Sequence, residues 1–411
     1  MKDALRERVE CVLNSASIEA INPADSAIFF CDQQNRLFAR LRVESPIHCC
    51  RQSAYGAFWS ITKYKHIVEI ENNPSLFSSE QGFTLLDPAP GMQRRSFMRM
   101  DPPEHQHTRR YFSSLASRDK LVKLQDFIGE TVDNALDAVP CDRSIDWVNK
   151  VAAVISRNVF THVMGLPVSD AEMLEGWAQA AMAVALRTDP EINEYRNALA
   201  SCADYFRDRC QHHVENDSLN MLSMLIQANQ ANGRSEDDLM ADLMILLIGG
   251  IETVRHAMTG SVLLFDAFPE QLAILRGNLG LLPSAMSEVL RLQTPFAYMR
   301  RTATQDLDFH GVKIEQGQKI AVWYVAANRD EEYFSDPHHF YVDRENSASH
   351  LSFGAGPHQC VGKYLASFEL EGLWKRLIDR RLIVKPMAPA RKLDSSFVNG
   401  YASLDVTLCT C

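Results

Sequence analysis

Apolar residues recur at helical spacing through much of 118–293, and long parts of that stretch, such as 191–268, contain no proline. Short runs with strand character lie elsewhere: FWSITKY (58–64), LDFHGVKI (307–314), KIAVWYVAA (319–327) and ASLDVTL (402–408). The expected fold class is therefore mainly α with a minor β-sheet subdomain. No G-x-G-x-x-G joins a strand to a helix, so a doubly wound parallel sheet is not expected. QANQANGRSED (227–237) reads as a loop, but no linker composition or repeat period divides the chain, and residues 1–411 are expected to form a single large domain.

One helix stands out. Ser235 followed by Glu236, Asp237 and Asp238 reads as an N-cap with an acidic first turn, and apolar residues then continue until Pro269. About 30 residues at ~1.5 Å each would cross a whole domain. Gly249 and Gly250 lie in its middle, each costing roughly 1 kcal/mol relative to alanine in a helix interior. A need for close backbone approach or an opened turn explains such a pair, and the next polar residues are Glu252 and Thr253.

Composition narrows the function. Of 411 residues, 46% are hydrophobic and 23% charged, as in a globular protein with a large core. The formal net charge of -10 argues against nucleic acid as the main partner. LMILLIGGI (243–251) is far short of the roughly 20 apolar residues that span a bilayer, so no membrane insertion is expected. The start, MKDALRERVECVL, lacks the apolar core of a signal peptide, which implies a cytoplasmic location and reduced thiols. Ten cysteines are scattered without any C-x-x-C pair.

One of those thiols sits in an unusual place. In HLSFGAGPHQCVGKYLA (350–366), Gly354 and Gly356 allow positive φ and close approach, Pro357 stiffens the turn, and a helix is expected from Val361. That would put Cys360 at a helix N-terminus, where thiolate is favoured over thiol. A zinc site needs about four N or S ligands, and only His358 is near. Haem iron needs one protein ligand, and a thiolate there favours O–O cleavage.

F-G-x-G-x-H-x-C-x-G, filled by Phe353, Gly354, Gly356, His358, Cys360 and Gly362, resembles the haem-binding signature of the cytochrome P450 superfamily. The resemblance implies the fold of that family and haem b (iron protoporphyrin IX) with Cys360 as the metal ligand. GGIET (249–253) resembles the family's oxygen-binding segment, which implies that Gly249 and Gly250 widen a groove for O2 while Glu252 and Thr253 deliver protons. SEVLR resembles the family's E-x-x-R pair, Glu288 and Arg291, completed by Arg344 in a structural role. MDPPEHQHTRR (100–110) places His105 and Arg109, and RRTATQDLDFHG places Arg301, where the family meets the haem propionates. Closer similarity in FARLRVESPIH, LQTPFAYMRRTA and WYVAANRD is to the bacterial alkane and terpene hydroxylase branches. The chain departs from the alkane branch in having Glu252 for the commoner aspartate and Val254 after Thr253.

By the same alignment Ile245, Ile248, Ala297, Met299, Phe397 and Val398, with the loop 78–97, would line an apolar substrate cavity, implying an alkane-, fatty-acid- or terpenoid-like substrate. Electrons derived from NAD(P)H would arrive through a ferredoxin and its reductase, steered toward Arg109, Arg110 and Lys363. The expected function is haem-thiolate monooxygenation. A peroxide-driven hydroxylase, a non-catalytic haem sensor and a cofactor-free helical interaction protein are the alternatives.

Overall fold

The computed structural model describes residues 2–15, 17–87, 95–112, 117–141, 143–186, 192–212 and 220–410. Helices dominate, with four small sheets among the described residues. None of the described helices is long and apolar enough to cross a membrane. The chain forms two compact units, Met1–Asp87 with Gly260–Gln359 and Ala388–Leu404, and Pro88–Thr259 with Cys360–Met387 and Asp405–Cys411.

The first unit is built on a five-stranded sheet ordered Ile47–Cys50, Phe58–Ile61, Lys319–Val322, Met299–Ala303, Phe77–Ser78. All neighbours are antiparallel except Phe58–Ile61 with Lys319–Val322, where Phe58 faces Lys319 and Ile61 faces Val322. Ile67 and Ile70 of the Tyr64–Glu71 helix pack with Ile61, Phe77, Ile320 and Val322 in one core. Successive strand residues point to opposite faces. The neighbouring buried arginines of Met299–Ala303 accordingly part ways, Arg300 reaching Asp87 at 2.6 Å and Arg301 reaching Glu71 at 2.8 Å.

Glu288 anchors the same unit from the Leu282–Gln293 helix. Arg291 donates to both its oxygens at 2.7 Å, and Arg344 Nε adds a third bond at 2.7 Å. Arg291 Nη1 also donates to the carbonyls of Asn328 (2.7 Å) and Pro337 (2.8 Å), and Arg344 Nη1 to that of Ser335 (2.6 Å). A fully buried ionic cluster survives only when its donors are satisfied in this way.

In the second unit, Gln125–Asp137, Ala153–Val163, Ala171–Leu186 and Ile192–Gln211 are joined by Glu236–Leu247 and Lys363–Asp379. A three-stranded antiparallel sheet, Ile145–Asp146, Asp405–Thr410, Leu382–Pro386, completes it. The Ser235 cap is a full capping box, with the Ser235 hydroxyl accepting from the Asp238 N–H and the Asp238 carboxylate accepting from the Ser235 N–H, both at 3.2 Å.

Several sequence expectations need correction. The long helix is Glu236–Leu247, a π turn at Ile248–Glu252, and Thr253–Ala267. KIAVWYVAA leaves the sheet at Val322 and forms a helical turn, Tyr324–Ala327, because full burial overrides the β preference of Trp323 and Tyr324. LDFHGVKI is a hairpin, Leu307–Phe309 with Val312–Ile314, turning at His310 and Gly311, both at positive φ. ASLDVTL breaks at Leu404 into strands of different sheets. QANQANG is mostly the end of the helix Met221–Ala231.

Candidate active site

Gly354 and Gly356 have φ of 67° and 62°, as the loop pattern requires. The close approach is to protein: a Cβ on Gly356 would lie 2.2 Å from the carbonyl oxygen of Glu71. Gly356–His358 is one 3-10 turn, and Phe353 and His358 are half-buried. Glu71 itself is fully buried. It accepts from Arg301, from the Tyr324 hydroxyl and from the Ala355 N–H, and burial nevertheless raises its pKa. Arg301, expected at a propionate, thus has a protein carboxylate beside it.

Cys360 is not inside the first turn of a helix. The helix is Lys363–Asp379 with Gly362 as its N-cap. Burial raises the Cys360 thiol pKa, and the Gly362 N–H, Arg109 and Lys363 act against that rise. The expectation of a thiolate favoured outright by the helix end is therefore corrected: desolvation outweighs the donors. Cys360 as a residue is nevertheless exposed.

His105 and Arg109 lie on the short helix Glu104–Arg110, His105 fully buried and Arg109 half-buried. Burial lowers the Arg109 pKa, while its attraction to Cys360 raises it. Arg110 is exposed and Lys363 half-buried.

The glycine pair divides its labour. A Cβ at Gly250 would strike the Phe160 ring at 2.3 Å, whereas one at Gly249 would meet nothing within 4 Å among the described residues. Gly249 therefore borders open space and Gly250 allows the helix to close on its neighbour. The Thr253 hydroxyl donates to the Gly249 carbonyl at 2.6 Å, satisfying an acceptor that the π turn releases. Glu252 is buried, and Arg255 donates to its Oε2 at 2.6 Å, while Oε1 has no hydrogen-bond partner among the described residues. Burial raises the Glu252 pKa, Arg255 lowers it and Glu175 raises it.

Of the proposed pocket residues, Ala297, Phe397 and Val398 come together in the first unit. The Ala297 N–H donates to the Phe397 carbonyl at 2.8 Å, and Val398 bridges Phe296, whose ring stacks on Phe397 at 4.7 Å. Met299 is half-buried on the adjoining strand. Ile245 and Ile248 are in the second unit, half-buried and buried respectively. Of the loop 78–97, residues 88–94 lie outside the described residues.

Sequence reasoning missed Glu71, Tyr324, Arg255, Glu175 and Arg157. Arg255 was within reach, since it follows Glu252 at i+3. The others are partners only in three dimensions.

A haem fits the residues present. Cys360 is the residue that would hold its iron, and the cations Arg109 and Lys363 act on that sulfur. Residues 274–392 match the family described as Cytochrome P450. The linalool 8-monooxygenase of Pseudomonas putida is 29% identical over 388 residues, covering 90% of this chain and 95% of that protein. A steroid C26-monooxygenase of Mycolicibacterium smegmatis is 30% identical over 404 residues, covering 96% and 97%. The solved structure of cytochrome P450-153 from Novosphingobium aromaticivorans superposes with a TM-score of 0.87 at 32% identity, covering 94% of this chain and 99% of that one. Likeness in sequence and fold over nearly the whole length, together with the cysteine loop, makes this chain a member of the cytochrome P450 family and a haem-iron monooxygenase.

Proposed function

We propose that the protein hydroxylates an apolar small molecule of terpenoid, alkane or lipid type, using O2 and electrons passed from NAD(P)H through a ferredoxin and its reductase. The observation that carries this reading is Cys360, on whose sulfur the Gly362 N–H, Arg109 and Lys363 act. Held through the Cys360 sulfur, a haem iron supplies O2 activation, the thiolate favouring O–O cleavage. The cations beside Cys360 favour its charged form, and Arg109 and His105 are the groups assigned to the cofactor carboxylates. Gly249 leaves room beside the helix, Thr253 places its hydroxyl at the Gly249 carbonyl, and buried Glu252 is the group assigned to carry the proton.

The aromatic and aliphatic surroundings of Ala297, Phe397 and Val398 support an apolar substrate selected by shape and burial. Relatives named for linalool, steroids and methyl-branched lipids are in keeping with that class. The Glu252–Thr253 pair favours O2-driven over peroxide-driven turnover, because only the former needs protons delivered to bound oxygen.

The test is turnover of a terpene, alkane, fatty-acid and steroid panel with ferredoxin, reductase and NAD(P)H, beside the same panel with hydrogen peroxide alone. Product in the first arm with oxygen consumption supports the reading. Product only in the second arm replaces it with the peroxide-driven alternative.

A further inference from the structure

Five charged residues of alternating sign lead from Glu252 to the protein surface. Arg255 donates through Nη2 to Glu252 Oε2 at 2.6 Å and through Nη1 to Glu175 Oε1 at 3.1 Å. Glu175 Oε2 accepts from Arg157 Nη1 at 2.7 Å, and Arg157 Nη2 donates to Glu172 at 3.0 Å. Glu252 and Arg255 are buried, whereas the Glu172 side chain is 82% exposed. Three separate helical segments contribute: Ala153–Val163, Ala171–Leu186, and the π turn leading into Thr253–Ala267.

We propose that Arg255, Glu175 and Arg157 are positioning residues that hold Glu252 by Oε2, leave Oε1 directed away from the clamp to carry the proton, and tie this acid to the exterior at Glu172. The inference rests on the reading of Glu252 as the proton-carrying acid.

The physical argument is competition for one guanidinium. Arg255 acting alone would hold Glu252 as a bare carboxylate, which accepts protons but has none to give. Glu175 takes the other edge of the fork and offsets part of that charge. Burial, the largest influence, and Glu175 favour the protonated form of Glu252, while Arg255 opposes them. Arg157 holds Glu175 in place through the bond to Oε2. The unbonded Oε1 is the second observation, because a buried carboxyl oxygen without a donor is costly unless it is protonated or meets a transient partner.

The charged and titratable groups facing Glu252 are accounted for by element. His256 of its own helix lies with Nε2 at 3.9 Å, Ala171–Leu186 presents Glu175, and Ala153–Val163 presents Arg157 one pairing behind. On Glu236–Leu247, the carboxylate Asp242 is held by Arg234 at 2.6 Å.

The experiment is a pH titration of the holoenzyme by infrared difference spectroscopy, following the protonated-carboxyl band that Glu252→Gln removes, alongside the fraction of consumed O2 that appears as product. Glu175→Gln should move the band's midpoint to lower pH by about one unit or more, because a like charge is lost and Arg255 turns wholly to Glu252. Arg255→Gln should move it to higher pH, and Arg255→Lys should bring it back toward the parent. Coupling should fall in both neutral variants. Shifts of the same sign, or none, with the band still lost in Glu252→Gln, would overturn the positioning arm and leave the acid's role standing. Glu252→Gln with unchanged coupling would remove that role and the inference with it. If Arg255→Gln does not fold, Glu175→Gln decides alone, since only a downward shift agrees.

Discussion

Gly250 and Phe160 are in direct contact: a methyl group on Gly250 would lie 2.3 Å from the ring's Cδ2. A methyl group on the adjacent Gly249, which points to a different side of the helix, would meet nothing within 4 Å among the described residues. Substitution by alanine should separate the two. Gly250→Ala forces the ring or the helix to move, an overpacking cost of about 1–3 kcal/mol. Gly249→Ala should leave the melting temperature unchanged or slightly raised, since alanine is the better helix former by about 1 kcal/mol, while lowering turnover by filling that space. Equal melting temperatures for the two variants would refute the division of roles.

Cys360 should behave in the haem-free protein as a thiol held above its ordinary pKa by burial and pulled down by Gly362, Arg109 and Lys363. Arg109→Ala removes one of the downward influences, so less thiolate should exist at neutral pH and alkylation should slow by roughly threefold or more. In the haem-loaded protein, Cys360→Ser should abolish the red-shifted absorption of the reduced carbonyl complex. An unchanged spectrum would mean that another residue holds the iron.

Glu288 should prove far more important to stability than a surface carboxylate in an ion pair of similar length. Glu288→Gln leaves Arg291 and Arg344 buried without their anion, at about 3–5 kcal/mol. Asp379→Ala breaks the Lys375–Asp379 pair at 2.6 Å, but Lys375 is 56% exposed, and the change should stay under about 0.5 kcal/mol. Urea denaturation of the two variants compares them directly.

Asp242 should make part of the protein more stable as pH falls. Burial lifts its pKa from 3.8 to about 6 against the pull of Arg234 and the Phe97 N–H. The folded state then binds this proton more tightly than the unfolded chain, so the group's cost is greatest above about pH 6 and is relieved as pH drops toward 4. The full span is about 3 kcal/mol. Asp242→Asn should flatten that share of the dependence between about pH 6 and 4, read as the change in denaturation midpoint. An identical pH dependence in parent and variant would exclude the assignment.

Much of this protein could be read before any fold was known. Helical class, the Ser235 cap, the spacing of the cysteine loop and the Glu288–Arg291 pair are local or near-local patterns, each expressed within one or two turns of chain. Such patterns persist because backbone geometry acts over a few residues. The errors fell where burial competes with propensity, as where Trp323 and Tyr324 bend out of a strand, and at a helix end, where the helix expected to begin at Val361 starts at Lys363 and leaves Cys360 outside its first turn.

The chain alone determined which chemistry is present, because a thiol between spaced glycines and an acid–alcohol pair after a glycine pair are properties of order along the backbone. It did not determine what surrounds those groups. Arg301 meets Glu71 across 230 positions and Arg255 meets Glu175 across 80, so the charge each acid experiences came from folding. Electrostatic energy depends on distance through space and on local burial, and neither quantity is written in the spacing of residues.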